Sequence, residues 1–254
     1  MYNKNLRPQK EIILCEDGTN TLYSKEFDEP YHSTKDGALH ESLEKHVKPA
    51  LALAKHKTKL TVLDICFGLG YNTFATLYYI KKHELSTKVH ILSPEFDEEL
   101  VRSLDAFDYP PEFENIKHII KAISQKLYYE DEQFKIEILL GDARKSILKI
   151  KERIDIIYQD AFSPAHNPLL WTKEYFADIK TICNDDAILT TYSTAAAIRL
   201  GLYENGFYIF VHRAEMMRYS TVASLKMLEL EYIDMELKKV RNTEAKSMRD
   251  VDYQ

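Results

Sequence analysis

The sequence predicts an α/β fold: a doubly wound, seven-stranded, mostly parallel sheet with an antiparallel last strand and a small N-terminal β-hairpin. Three observations carry that expectation. Short apolar runs alternate with helical stretches from residue 61 to residue 212, a rhythm that builds parallel βαβ units. Val62-Leu63-Asp64-Ile65-Cys66-Phe67-Gly68-Leu69-Gly70-Tyr71-Asn72 reads as a buried strand, a tight glycine turn and a helix start. The last two strand candidates follow one another without room for a helix, and a short connection joins antiparallel strands only.

In chain order, Glu11–Cys15 and Thr21–Tyr23 flank Asp17-Gly18-Thr19-Asn20, a hairpin signal. Residues 1–30 are therefore expected as an N-terminal hairpin extension. Tyr31 to Ser42 is turn-rich and leads into a helix that runs through Leu53. The strands are expected at Thr61–Cys66, Val89–Glu95, Phe134–Leu140, Ile154–Asp160, Ala187–Tyr192, Phe207–His212 and Thr221–Leu228. Helices are expected at Thr73–Lys82, Glu98–Phe107, Ile116–Tyr129, Ala143–Ile150, Thr172–Cys183 and Ala195–Glu204. Residues 31–228 form the main domain, and 229–254, rich in mixed charge, reads as a solvated tail.

Length and composition narrow the function classes. The chain has 254 residues, 45% of them hydrophobic, which suits one large domain with some decoration. A formal net charge of −6 gives no global basic field, so an RNA partner has to be held by a local patch. Cys15, Cys66 and Cys183 are scattered and form no Cys-x-x-Cys pair, which suggests neither zinc nor a disulfide framework. The histidines, His46 and His118 among them, show no metal spacing, and a lone histidine reads as structural. Met1 to Lys10 is polar, without the apolar core of a signal peptide, and no apolar run approaches membrane-spanning length. A cytoplasmic protein with no membrane contact and no metal is the expectation.

Four acids mark consecutive strand ends. Asp64 lies inside the first strand, placed to order the loop by accepting backbone N–H bonds. Glu95 ends the second strand, where an acid suits the hydroxyls of a ribose. Asp142 follows Gly141 after the third, and with Ala143 it suits the edge and face of an adenine. Asp160 ends the fourth. Each alone reads as a helix cap, and together they point to an adenosine-containing cofactor. Gly68 and Gly70 let the backbone approach such a ligand. The third glycine of the dinucleotide fingerprint is missing, and no Gly-Lys-Ser/Thr follows, so neither a Rossmann dinucleotide loop nor a P-loop is indicated.

Four blocks, spanning about residues 31–210, carry a family resemblance. Asp160-Ala161-Phe162-Ser163-Pro164-Ala165-His166-Asn167-Pro168 running on to Trp171-Thr172 is the specific one. Tyr31-His32-Ser33 with Gly37, Ala38, Leu39 and Glu41 is a second, the Asp64–Asn72 loop a third, and Thr191-Tyr192-Ser193 with Ala195, Arg199, Gly201, Leu202, Gly206 and Phe207 the fourth. Together they resemble the methyltransferase half of the bifunctional tRNA 5-methylaminomethyl-2-thiouridine biosynthesis protein, a class I, Rossmann-like S-adenosylmethionine-dependent methyltransferase that also exists as a stand-alone enzyme. The resemblance implies S-adenosyl-L-methionine as cofactor, held by Asp64, Phe67, Gly68, Gly70, Asn72, Glu95, Asp142 and Ala143, with Ser33 and Glu41. It implies a tRNA partner, methylated on the aminomethyl nitrogen of its wobble uridine. Asp160 is the expected catalytic group. Phe162, Pro164, Asn167, Trp171 and Arg199 are the expected substrate contacts: Phe162 and Trp171 as stacking surfaces for an extruded base, Pro164 and Asn167 as the turn that holds Asp160, Arg199 for phosphate.

Two departures qualify the resemblance. Met216-Met217-Arg218-Tyr219-Ser220-Thr221 replaces a Gly/Lys/Arg-rich stretch, and no second glycine-rich turn for a flavin exists, so no oxidoreductase activity is expected. The rival readings are an aminopropyltransferase of the spermidine synthase type, a methyltransferase for a small amine or protein, and a non-enzymatic S-adenosylmethionine-binding module. The first lacks its Gly-Gly-Gly-Asp-Gly loop here.

Overall fold

The computed structural model describes residues 10–214 and 217–253. The signal-peptide reading of Met1 to Lys10 falls almost entirely outside them, as does Met216 of the altered stretch. The N-terminal hairpin is present and gains a strand: β1 (Lys10–Leu14), β2 (Asn20–Ser24) and β3 (Glu29–Pro30) form a three-stranded antiparallel sheet. The helix expected to end at Leu53 is continuous but irregular. α1 (Ala38–Glu41) passes into a π-helical segment, Ser42–Val47, and then into α2 (Lys48–Leu53).

The rest of the chain alternates: β4 (Lys59–Ile65), α3 (Tyr71–Lys82), β5 (Lys88–Glu95), α4 (Glu98–Arg102), α5 (Lys117–Lys126), β6 (Tyr128–Glu130), β7 (Phe134–Leu140), α6 (Ala143–Ile147) and β8 (Ile154–Gln159). It continues with α7 (Lys173–Ile182), β9 (Cys183–Thr191), α8 (Ala196–Tyr203), β10 (Tyr208–His212), β11 (Ser220–Ser224), β12 (Glu231–Tyr232) and α9 (Met235–Arg241). The sheet order is β12-β10-β11-β9-β8-β4-β5-β7-β6. β7, β5, β4, β8 and β9 are parallel, while β11 runs antiparallel to both neighbours. These are the seven expected strands, flanked by the short edge strands β6 and β12.

Both faces of the sheet are covered. Along β4, Val62 joins a core with Ile91, Ile136, Ile156 and Phe74, and Leu63 joins the opposite core with Ile157, Leu189, Trp171 and Phe176. That two-sided burial is why these strands read as apolar runs rather than as alternating ones. β4 leads to β5 on one side, and its other neighbour is β8. The strand order therefore reverses between β4 and β8, and the crevice beyond their carboxyl ends is where such sheets bind ligands.

Several expectations change, among them a strand that ends at Ser224 rather than Leu228 and a helix that ends at Ile147 rather than Ile150. The helix expected over Ile116–Tyr129 stops at Lys126, because Leu127 takes a left-handed φ of 59° and Tyr128–Glu130 then pairs with β7. The Glu98–Phe107 helix is cut to α4 and a 3-10 turn over Leu104–Ala106. The segment expected as a solvated tail is docked: β12 pairs with β10, and Asp250 accepts two bonds from Arg144, at 2.6 and 2.7 Å, and one from Thr172 at 2.6 Å. Its mixed charge finds specific partners on the domain.

The turn after β4 winds tightly. Cys66, Gly68 and Gly70 all have positive φ, at 65°, 54° and 72°. A Cβ on Gly70 would meet Phe74 Cε2 at 2.5 Å and Phe67 Cζ at 2.8 Å, whereas one on Gly18 (φ 82°) would meet nothing within 4 Å. A left-handed conformation costs a side chain roughly 1–2 kcal/mol. Gly18→Ala should lower stability by about that much, while Gly70→Ala, which adds a steric overlap, should lose clearly more. Urea unfolding of the two variants checks this, and equal losses would contradict it.

Candidate active site

The loops at the carboxyl ends of the parallel strands open onto a cavity of about 1420 Å³, lined by the glycine turn, the ends of β5, β7 and β8, and residues of the N-terminal sheet. Common small-molecule sites run to roughly 300–1,000 Å³, so this one has room for a cofactor and part of a second substrate. Phe67, Gly68, Asn72, Glu95, Asp142, Ala143, Ser33, Glu41, Asp160, Phe162 and Asn167, all expected from the sequence, line it. A Cβ on Gly68 would press on the Tyr31 ring at 3.1 Å, so the bare backbone keeps that wall open.

Glu95 is buried beneath the turn. Its Oε2 accepts the Gly68 N–H at 2.8 Å, and its Oε1 accepts those of Phe96 and Asp97, both at 2.7 Å. Burial raises its pKa, against the pull of the backbone N–H groups of Asp97, Gly68 and Phe96. Asp142 caps α6 through the Arg144 N–H at 3.0 Å, and Gly141, with open space where a Cβ would stand, bonds back to the Glu95 carbonyl at 2.8 Å. Glu41 accepts the Ser33 N–H and the Lys45 ammonium, each at 2.7 Å, which ties the 31–37 loop to the long helix.

Asp160 is the centre of the polar wall. Asn72 Nδ2 donates to its Oδ2 at 2.8 Å, and His46 Nε2 lies 3.4 Å from its Oδ1. Burial works to raise the pKa of this carboxyl. The His46 and His32 rings and the Asn72 amide outweigh it and hold the group below the ordinary carboxylate range. Asp64, one strand away, behaves oppositely. It is buried and accepts the Thr73 hydroxyl at 2.7 Å, and burial pushes it up to about 7, the bond from Thr73 opposing and the Asp160 charge adding.

Several expected residues stand elsewhere. Asp64 lies below the cavity and bonds a side chain rather than loop N–H groups. Trp171 is fully buried, with its Nε1 donating to the Phe162 carbonyl at 2.8 Å, so no face of the ring is offered to a base. Its apolar bulk is worth more inside the core than in a polar cavity mouth. Arg199 faces a separate cavity of about 190 Å³, with Nε donating to Thr221 Oγ1 at 3.0 Å. It ties α8 to β11. Pro164 shapes its turn without lining the cavity.

Other residues at the site were not among the expected contacts. Phe27, from the turn before β3, stacks on Phe162 at 4.4 Å, and Tyr31 meets the same ring edge-on at 4.9 Å. Glu29 accepts the Ser163 N–H at 2.6 Å. The N-terminal sheet is thus a wall of the site. His46 and His32, both buried, enter from the helix and from the loop before it.

Comparison with known proteins decides the family. A family model described as S-adenosyl-L-methionine-dependent methyltransferase matches residues 112–225. The crystal structure of MnmC2 from Aquifex aeolicus superposes with a TM-score of 0.84 at 33% identity, covering 96% of this chain and 79% of that one. The chain belongs to the MnmC2 methyltransferase family. Among curated relatives, a protein of Methanocaldococcus jannaschii named as uncharacterised is 33% identical over 210 residues. The tRNA 5-methylaminomethyl-2-thiouridine biosynthesis bifunctional protein MnmC of Azoarcus sp. is 29% identical over 210 residues. This chain spans 56% of the former and 32% of the latter.

This chain is an S-adenosylmethionine-dependent methyltransferase of that family. The cavity fits that cofactor: bare backbone at Gly68 and Gly141, and carboxylates at Glu95 and Asp142. Among the described residues no three His, Cys, Asp or Glu side chains are grouped to hold a metal ion, and no helix is long and apolar enough to cross a membrane. Glu95→Ala should weaken S-adenosylmethionine binding by about 1.5–3 kcal/mol, the range for hydrogen bonds to a charged group. Isothermal calorimetry reads this directly, and an unchanged affinity would remove Glu95 from the cofactor site.

Proposed function

We propose that this enzyme methylates the aminomethyl nitrogen of a wobble 5-aminomethyl-2-thiouridine in tRNA, giving 5-methylaminomethyl-2-thiouridine. The observation that carries the reading is Asp160, a carboxylate held ionised at the strand-order reversal, facing the cavity beside the glycine turn. The names of the MnmC relatives supply the nucleoside. An aromatic wall of Phe27, Phe162 and Tyr31 supports it, since an extruded base needs a face to stack on. Lys35, Lys145 and Arg218 also line the cavity and are exposed, a local basic rim on a chain of net charge −6. Phosphates are attracted by such a rim, not by the global charge.

Bound S-adenosylmethionine supplies a methyl group already activated on a sulfonium. The chain's own work is to present an amine with its lone pair free. Asp160 accepts the proton that the substrate ammonium must lose and orients the freed amine so that its lone pair points at the methyl carbon; the N–C bond then forms as the C–S bond breaks. Asn72 fixes one carboxylate oxygen, so the other is set in direction. The same negative charge repels a carboxylate on the incoming side chain.

Purified protein with S-adenosylmethionine should therefore methylate tRNA carrying the aminomethyl group and leave tRNA carrying the carboxymethylaminomethyl group unchanged, as read by nucleoside mass spectrometry. Methylation of the second tRNA, or of neither, would sink the substrate assignment. Asp160→Asn keeps the shape and removes the charge. Its turnover should fall by roughly 10²–10⁴, the usual contribution of such a group, with near-normal cofactor affinity and partial recovery at higher pH, where more amine is free. Normal turnover at neutral pH would make Asp160 structural.

A further inference from the structure

The π-helical segment Ser42–Val47 interrupts an otherwise regular helix at the one place where it passes the reactive carboxylate. A π turn holds one extra residue, costs hydrogen-bond geometry, and turns side chains that an α-helix would face elsewhere. Here Lys45, His46 and Val47 are all buried in succession. Lys45 reaches Asp36 and Glu41, and His46 reaches across the sheet end. His46 is 0% exposed, its Nδ1 lies 2.9 Å from Thr190 Oγ1 on β9, and its ring meets Tyr158 of β8 edge-on at 5.8 Å. Its Nε2 makes no hydrogen bond and lies 3.4 Å from Asp160 Oδ1.

We infer that His46 is a positioning residue of the methyl transfer, set by the π turn to fix the Asp160 carboxylate in orientation and keep it ionised. A lone pair on Nε2 facing a carboxylate would be repulsive, so that nitrogen carries the proton. Thr190 is then placed to donate its hydroxyl to Nδ1 when the ring is neutral. Asp160 thereby has a neighbour at each oxygen: Asn72 of α3 donates to Oδ2, and His46 Nε2 faces Oδ1 at 3.4 Å. The other titratable groups around it are His32 from the loop before α1, Asp64 on β4, Cys66 in the glycine turn, and Tyr192 after β9. Only His32 among these shares the favourable sign. Burial lowers the pKa of that ring, and its Nδ1 is already engaged with Thr21 at 2.8 Å. His46 is thus the group whose removal Asp160 should feel most.

The inference rests on Asp160 meeting the amine, and the test separates the two. His46→Leu should lower kcat by roughly 10- to 100-fold, the scale of a misoriented reacting group, with KM for S-adenosylmethionine little changed. The acid limb of its kcat–pH profile should move to higher pH, because the lost partner held Asp160 ionised. His46→Gln, which offers an N–H near the Nε2 position, should recover much of kcat, and Thr190→Val should show a smaller shift in the same direction. The carboxyl ¹³C titration of Asp160 in the cofactor-free protein reads the same change without any tRNA. An active wild type with an inactive Asp160→Asn, but with kcat and the Asp160 titration unmoved in His46→Leu, overturns the inference and leaves the functional reading intact. A fully active Asp160→Asn overturns the functional reading, and with it the catalytic part of this inference. Should His46→Leu fail to fold, Thr190→Val carries the measurement, and an unshifted carboxyl titration in that variant overturns the inference.

Discussion

A carboxylate taken out of water costs several kcal/mol unless its oxygens are satisfied and its charge is answered. Asp160 meets that demand from three directions, and much of the molecule follows from them. The glycine turn starts α3 where Asn72 can reach Oδ2. The π segment brings His46 to Oδ1. The loop after the N-terminal sheet brings His32, held through Thr21 of β2. None of these elements is adjacent in sequence to β8. The site is therefore a product of the whole fold, and the partners that let this charge persist in a buried place come together only in the folded chain.

The N-terminal sheet contributes Leu22 of β2 to one core, which alone does not account for its place in the fold. Its contacts explain it. Phe27 lies flat on Phe162, Glu29 takes the Ser163 N–H, and Tyr71 of α3 donates its hydroxyl to the Asn20 carbonyl at 2.8 Å. The Asp-Ala-Phe-Ser-Pro loop after β8 is thus clamped from above by the hairpin and from below by Trp171, whose indole holds the Phe162 carbonyl. A loop fixed on both sides places its aromatic ring at little further entropic cost on binding.

Sequence reading reached the seven main strands, the glycine turn and the strand-end acids because each leaves a local signature: apolar runs, paired glycines, an acid before a turn. It also reached Asp160, because the loop that follows is a dense motif. It missed His46 and Phe27, because a single histidine in a helix and a phenylalanine in a turn look the same whether or not they meet a site. Only the π turn, which no residue type announces, turns His46 inward. Trp171 and Arg199 failed in the opposite way. Their types invite stacking and phosphate contacts, but Trp171 supplies bulk to the core under α7, and Arg199 is taken up by Thr221 on the far strand. The docked tail escaped notice because mixed charge reads as solvated until Asp250 is seen on Arg144.

The two acids at the reversal of strand order show how one fold separates roles between like groups. Asp64 and Asp160 end neighbouring strands, and each disfavours the charge of the other. Both cannot be comfortably ionised in one buried place. The structure resolves the conflict by distribution of partners. Asp64 receives one hydroxyl and leaves Oδ1 without a partner, so its neutral form persists up to about pH 7. Asp160 receives the Asn72 amide and has the His46 and His32 rings nearby, so its anion persists. A neutral Asp64 withholds a second negative charge that would otherwise push Asp160 upward, and so keeps the charge at the site single and directed into the cavity.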